Sequence, residues 1–268
     1  MAIQQGPWTR IRPLQIDEVD DYTASAYEQA ILTWGHSPNN LIKVMGHCPS
    51  LTITEVPYAN AFIFDIDVFN NGKQFAGFLE RPLKELLISR TSLYNRSRYS
   101  VTHHSYIGYA LFKRLGREEE GFRKLLHLHV HESHRELYTA RENACLDYAV
   151  KVARDPHEVT DDEFNCLKHV LREHNTGKAA ADDMTDFDRQ FVAKWAAYTP
   201  PQHDALVDSQ IVEMTWLIGH FCLLNRWFTA LQVPDEGPQD EANFQAGYEA
   251  NVPAEIRERN EAILRGQF

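Results

Sequence analysis

Residues 208–233, DSQIVEMTWLIGHFCLLNRWFTALQV, carry apolar side chains at helical spacing over a longer run than any other part of the chain. A helix with that much apolar surface has to be covered by others, so it belongs at the centre of a helical fold. The rest of the chain keeps the same period. DEVDDYTASAYEQAILTWG has acids early and Gly35 at its end, the pattern of a capped helix. NNLIKVMGHCPSLTITEVPYANAFIFD reads as a helix, a break at Pro49 and a second apolar segment. RPLKELLISRTSLY opens with Pro82 near a first helical turn and puts Leu83, Leu86, Leu87 and Arg90 on one face. SRYSVTHHSYIGYALFKRLG closes on Gly116, a C-cap residue. ELYTARENACLDYAVKVARDP stops at Pro156, and TDDEFNCLKHVLREH begins with an N-capping threonine followed by acids.

No pair of segments has the alternation and turn of a β-hairpin. The expected fold is all-α, with loops at 70–80, in TGKAAADDMTDFDRQ and in TPPQHD. After Pro234 the composition turns polar and acidic. The expected organisation is one helical domain over residues 1–233, its core at about 24–233, followed by a polar tail over 234–268. One short helix is expected in that tail, which is placed to wrap a neighbouring subunit.

At 268 residues and 43% hydrophobic, the chain can bury a sizeable core. Its formal net charge of −11 argues against a nucleic-acid binder and against docking on anionic membranes. The longest apolar stretches, such as YANAFIFDIDVF, are short and charged. The opening MAIQQGPWTRIRPLQ lacks the apolar centre of a signal peptide. Cys48, Cys145, Cys166 and Cys222 stand alone, without CxxC or zinc spacing. A cytoplasmic protein is expected. There is no Walker loop, GxGxxG or GxSxG.

Chemistry-bearing residues concentrate in ELLISRTSLYNRSRYSVTHH, residues 85–104. At about 100° per residue, Ser97, Ser100 and His104 fall on one helical face, with Tyr99 and His103 to the sides. Ser92 and Asn95 can break the chain direction, which would put Glu85 on a separate helix folded back against that face. A carboxylate beside an imidazole fixes its tautomer or raises its pKa, and such a pair moves protons near neutral pH. The bland alternative is a solvated helix start.

Glu85, eleven residues, Ser97, two residues, Ser100, three residues, His104: this order resembles the core motif of the alkylhydroperoxidase D-like, carboxymuconolactone decarboxylase superfamily. Its redox branch has cysteines where this chain has Ser97 and Ser100. Its non-redox branch often has a tyrosine five residues before the histidine, as Tyr99 is here. NNLIKVMGHCPSL is similar to the family's upstream helix, and the closing helix is similar through Glu213, Gly219 and Asn225. The resemblance covers roughly residues 24–234 and implies a helical bundle, a homo-oligomer and no cofactor. It also implies acid–base chemistry, with His104 and Glu85 catalytic and Tyr99, His103, Ser97 and Ser100 binding a small-molecule substrate. The expected activity is a lyase, decarboxylase or isomerase acting on a small cyclic, lactone or carboxylated metabolite. Thiol peroxidase chemistry is disfavoured, because CxxC is absent and a serine can supply neither a thiolate nor a disulfide.

Two alternatives stay open: a non-catalytic member of the fold, and a metal-dependent enzyme. HLHVHESH would bring His127, His131 and His134 together on a helix, or His127, His129 and His131 on a strand, as ligands for a divalent metal. Trp216, Trp227 and Cys222 are expected in the core and His220 in a hydrogen-bonded core position. His47 is expected at a helix end, and EEEGFRK as a solvated charged run.

Overall fold

The computed structural model describes residues 10–34, 39–63, 66–67, 73–74, 77–179, 184–236 and 244–267. In chain order the helices are α1 (Asp21–Trp34), α2 (Asn40–Met45), α3 (Pro49–Phe62), α4 (Arg81–Asn95), α5 (Arg98–Arg114) and α6 (Glu118–His127). They continue with α7 (Ala140–Arg154), α8 (Asp161–Asn175), α9 (Asp186–Ala193), α10 (Pro200–Leu231), α11 (Phe244–Asn251) and α12 (Ala254–Leu264). The fold is all-α. Its one departure among the described residues is an antiparallel pair of two-residue strands, Ile66–Asp67 and Lys73–Gln74.

The most enclosed element is α4, whose residues 82–93 are all buried. It packs against α5, α7 and α10. The expectation that α10 is central holds for one of its sides only. Met214, Leu217, Ile218 and Phe221 are buried, whereas Val212, Trp216 and Leu223 are 69%, 59% and 64% exposed. Trp216 is therefore not a core residue. Periodicity showed how much apolar surface the helix carries, and could not show how much of it this chain covers. Cys222 is buried as expected, and Trp227 packs partly buried against the core.

The local chemistry explains the boundaries. Thr139, Thr160 and Thr185 each accept from the amide three residues on, and Glu142, Glu163 and Asp188 return a carboxylate to the capping residue. TPPQHD is the first turn of α10 rather than a loop: Thr199 and Gln202 form a capping box around prolines suited to a first turn. Likewise the loop expected in TGKAAADDMTDFDRQ contains the start of α9 beyond Thr185. The C-cap assigned to Gly35 and residues 70–72 and 75–76 of the expected 70–80 loop lie outside the described residues; Lys73–Gln74 is one of the two short strands, and 77–80 is irregular as expected.

EEEGFRK is not simply solvated. Gly121 is buried so close to Phe112 that a Cβ would stand 2.4 Å from the Phe112 Cβ. Lys124 is buried between Glu120 and Glu142. The described part of the tail forms two helices, α11 and α12, and these lie on α4, α5 and α6 of the same chain.

Candidate active site

The chain turns between α4 and α5 at Arg96, whose φ of 51° is left-handed. A non-glycine residue rarely adopts that conformation, and here it ends α4 sharply enough for α5 to fold back along it. Glu85 and His104 meet as a result: His104 Nδ1 donates to Glu85 Oε2 at 2.9 Å. Glu85 is fully buried, and the His104 side chain is 12% exposed. A third group completes the set. Arg81, one turn before Glu85, donates through Nε at 2.8 Å and through Nη2 to Glu85 Oε1, while its Nη1 holds the Ile63 carbonyl at 2.6 Å. Burial alone would raise the Glu85 pKa. The charges of Arg81 and His104 outweigh it and hold the carboxyl down at about 2. The sequence carries Arg81 as an i, i+4 partner of Glu85, a signal that the motif reading passed over.

An ionised carboxylate only accepts, so Nδ1 of His104 carries a hydrogen, and in the neutral ring the lone pair is on Nε2. No described residue hydrogen-bonds that Nε2. The ring stands edge-on to Phe221 of α10, with centroids 4.9 Å apart.

The structure divides the other four expected site residues between two different roles. Tyr99 and His103 are stacked one turn apart, with centroids 4.0 Å apart, and both hold Glu236. Tyr99 Oη donates to Glu236 Oε1 at 2.6 Å and His103 Nε2 to Oε2 at 2.5 Å, while the Asn40 amide donates to Oε1 at 2.7 Å. His103 Nδ1 donates to the Tyr99 carbonyl at 2.7 Å. Both ring nitrogens face acceptors, so the ring is an imidazolium. Burial works against that charge, yet Glu236 raises the His103 pKa to about 9. Glu236 itself is lowered against its burial by His103, and burial pushes the neighbouring Asp235 up to about 6. Glu236 lies in the polar tail, 133 residues from His103, and no local pattern marks it.

Ser97 and Ser100 belong to a polar seam between α4, α5 and α10. Ser100 Oγ meets Ser92 Oγ at 2.7 Å, and Ser92 Oγ also donates to the Ile88 carbonyl and accepts from Asn225 Nδ2 at 3.4 Å. Ser97 is the residue before α5, and its buried Oγ has no hydrogen-bond partner among the described residues.

The histidine cluster does not assemble. His131 is fully buried, with Nδ1 accepting from Arg90 Nε at 3.2 Å and Nε2 donating to Asp147 at 3.0 Å. His127 and His134 stack on one another with centroids 4.1 Å apart. A kink at Val130 breaks the helix that would have aligned the three. Among the described residues, no three His, Cys, Asp or Glu side chains are grouped to hold a metal ion. Burial pushes the Cys145 thiol up to about 12, which makes it no nucleophile. His47 sits exposed just beyond α2, Nε2 against the Arg12 carbonyl. Among the described residues no helix is long and apolar enough to cross a membrane.

No family model matches the chain. No curated protein matches it either. Solved structures do. An uncharacterized peroxidase-related protein from Ralstonia eutropha JMP134, described as an alkylhydroperoxidase AhpD core, superposes with a TM-score of 0.54 at 18% identity, over 91% of this chain and 98% of that one. An uncharacterized peroxidase-related protein from Silicibacter sp. TM1040 gives 0.51 at 17% identity, over 89% and 95%. The debrominase Bmp8, as a cysteine-to-alanine variant in complex with 2,3,4-tribromopyrrole, gives 0.51 at 14% identity, over 94% and 96%. The chain therefore has the all-helical alkylhydroperoxidase D-like fold.

Proposed function

We propose that the chain is a cofactor-independent acid–base enzyme, a lyase, decarboxylase or isomerase acting on a small cyclic, lactone or carboxylated metabolite. The observation that carries this is the buried Arg81–Glu85–His104 set, with the hydrogen of His104 on Nδ1 and Nε2 free. His104 is the group that takes or gives a proton. Glu85 fixes the tautomer and balances the charge when the ring is protonated, and Arg81 positions Glu85. In a decarboxylation the bond between the carboxylate and the α-carbon breaks, carbon dioxide leaves, and the electron pair passes to the carbonyl as an enolate. The Nε2 hydrogen of protonated His104 is then delivered to the α-carbon. In an isomerisation Nε2 removes a proton at one carbon and returns it at another.

Serines at 97 and 100 remove the dithiol that peroxide reduction needs. The debrominase of this fold was solved with 2,3,4-tribromopyrrole, a small cyclic compound, which supports a substrate of that size. A screen of lactones and β-keto acids, run on the wild type beside His104→Ala, tests the reading. Turnover of at least one compound, lost in the variant with helical circular dichroism unchanged, is expected. Equal turnover in the variant removes the mechanism.

A further inference from the structure

A second imidazole–carboxylate pair faces open space away from α5. His220 of α10 donates through Nε2 to Glu55 Oε1 of α3 at 3.0 Å, and the two side chains are only 10% and 13% exposed. Tyr58, on the same helix as Glu55, lies against the imidazole with ring centroids 4.3 Å apart. Because the carboxylate takes the Nε2 hydrogen, the neutral ring has its lone pair on Nδ1. No described residue hydrogen-bonds it.

His220 lies in the wall of a cavity of about 580 Å³, whose other walls include Tyr148, Phe164, Val212, Trp216 and Leu223. That is the size and character of a small-molecule site: apolar walls and one or two placed polar groups. The floor is open at Gly219, where a Cβ would meet nothing within 4 Å. Trp216, 59% exposed, offers a ring face to the cavity. Elsewhere in the wall Thr215 Oγ1 donates to the Ile211 carbonyl at 2.7 Å and so accepts from Tyr148 Oη at 2.8 Å. His220 Nδ1 is an acceptor with capacity to spare. Both His104 and His220 stand edge-on to Phe221, at centroid distances of 4.9 and 5.9 Å, so the two pairs are neighbours served by different carboxylates.

We propose that this groove binds a planar hydroxylated aromatic molecule, its rings stacked on Trp216 and its hydroxyl donating to His220 Nδ1. Charge decides against an anion. A carboxylate ligand would meet the Nδ1 lone pair with Glu55 close behind it, whereas a neutral O–H meets an acceptor. The reading is independent of the one given for His104.

Calorimetric titration of the full chain with 2-naphthol and with 2-methoxynaphthalene, which has the same rings and no donor, tests it without any variant. Naphthol is expected to bind one per chain, about tenfold more tightly than the ether, the worth of one hydrogen bond. His220→Phe should bring naphthol to the affinity of the ether. Trp216→Ala should weaken both by about tenfold, and His104→Ala should change neither. Equal affinity of the two compounds overturns the proposal, as does absence of naphthol binding or its loss in His104→Ala. Light scattering that shows a dimer which Trp216→Ala dissociates also overturns it, since the groove would then be the seat of a second copy.

Discussion

His103 and His104 are consecutive on α5 and end in opposite chemical states. His103 has acceptors at both nitrogens, the Tyr99 carbonyl and the Glu236 carboxylate, and is locked as a cation with no lone pair to use. His104, about 100° further round the helix, has its acceptor at Nδ1 only. One ring is a fastening and the other can exchange a proton. Residue type is the same, so what decides is the element packed over each face. Glu236 at the start of the tail covers His103, whereas Glu85 of α4 and Phe221 of α10 cover His104. A motif of adjacent histidines does not identify a base, because the count of acceptors around each ring does.

The comparison breaks most readily at the chemistry. His104→Ala is expected to lower turnover by about 10²–10⁴-fold, the usual worth of a positioned acid or base, with little change in stability. His103→Ala should do the reverse. It leaves Glu236 buried without its counter-charge, a loss of about 3–5 kcal/mol in denaturant unfolding, while the folded fraction keeps its turnover. Variants that exchanged these phenotypes would show that the two rings had been assigned the wrong way round.

pH sharpens the same contrast. The pKa of His103 is raised to about 9 in the fold, against about 6.5 for an unfolded histidine. Between those values the native state binds more protons than the unfolded state. The contribution of His103 is therefore complete below about pH 6.5 and disappears as pH rises through 9. The protection of amides in α11 and α12, which follow Glu236, should fall across that window once exchange rates are divided by the intrinsic, base-catalysed rates. Glu236→Gln should flatten the dependence, because a neutral amide cannot hold the imidazolium. Protection factors that are indifferent to pH between 6 and 10 would remove the ion pair as the fastening of the tail.

The all-α class, the break at Pro49 and the return of α5 along α4 were legible in the sequence because each rests on local chemistry: period, proline and a turn. The Glu85–His104 meeting was legible through spacing and family resemblance together. Arg81 could have been read too, being one helical turn from Glu85. Glu236 could not, since it comes from a distant polar segment and only the packed core places its carboxylate against His103. For the same reason His131 read as a metal ligand. Its partners Arg90 and Asp147 come from other elements, and a ring with both nitrogens engaged looks no different in sequence from a free one. The exposure of Trp216 was beyond reach as well, because hydrophobic period records what a helix can bury rather than what is there to bury it.

The smallest effect separates Ser97 from Ser100. Ser100 Oγ bonds Ser92 Oγ, so Ser100→Ala should cost about 1 kcal/mol, the net worth of a buried hydrogen bond. Ser97 Oγ is buried and has no partner among the described residues. It makes no capping bond to α5 either. Ser97→Ala should therefore be neutral, or stabilising by up to about 1 kcal/mol, because it deletes a desolvated hydroxyl that nothing satisfies. Urea unfolding of the two variants measures the difference. The Michaelis constant then tells what Ser97 is for. If it rises severalfold in Ser97→Ala at unchanged stability, the hydroxyl is aimed at substrate. If neither quantity moves, the position keeps only its small size, and the polar groups that hold the substrate have to come from α10.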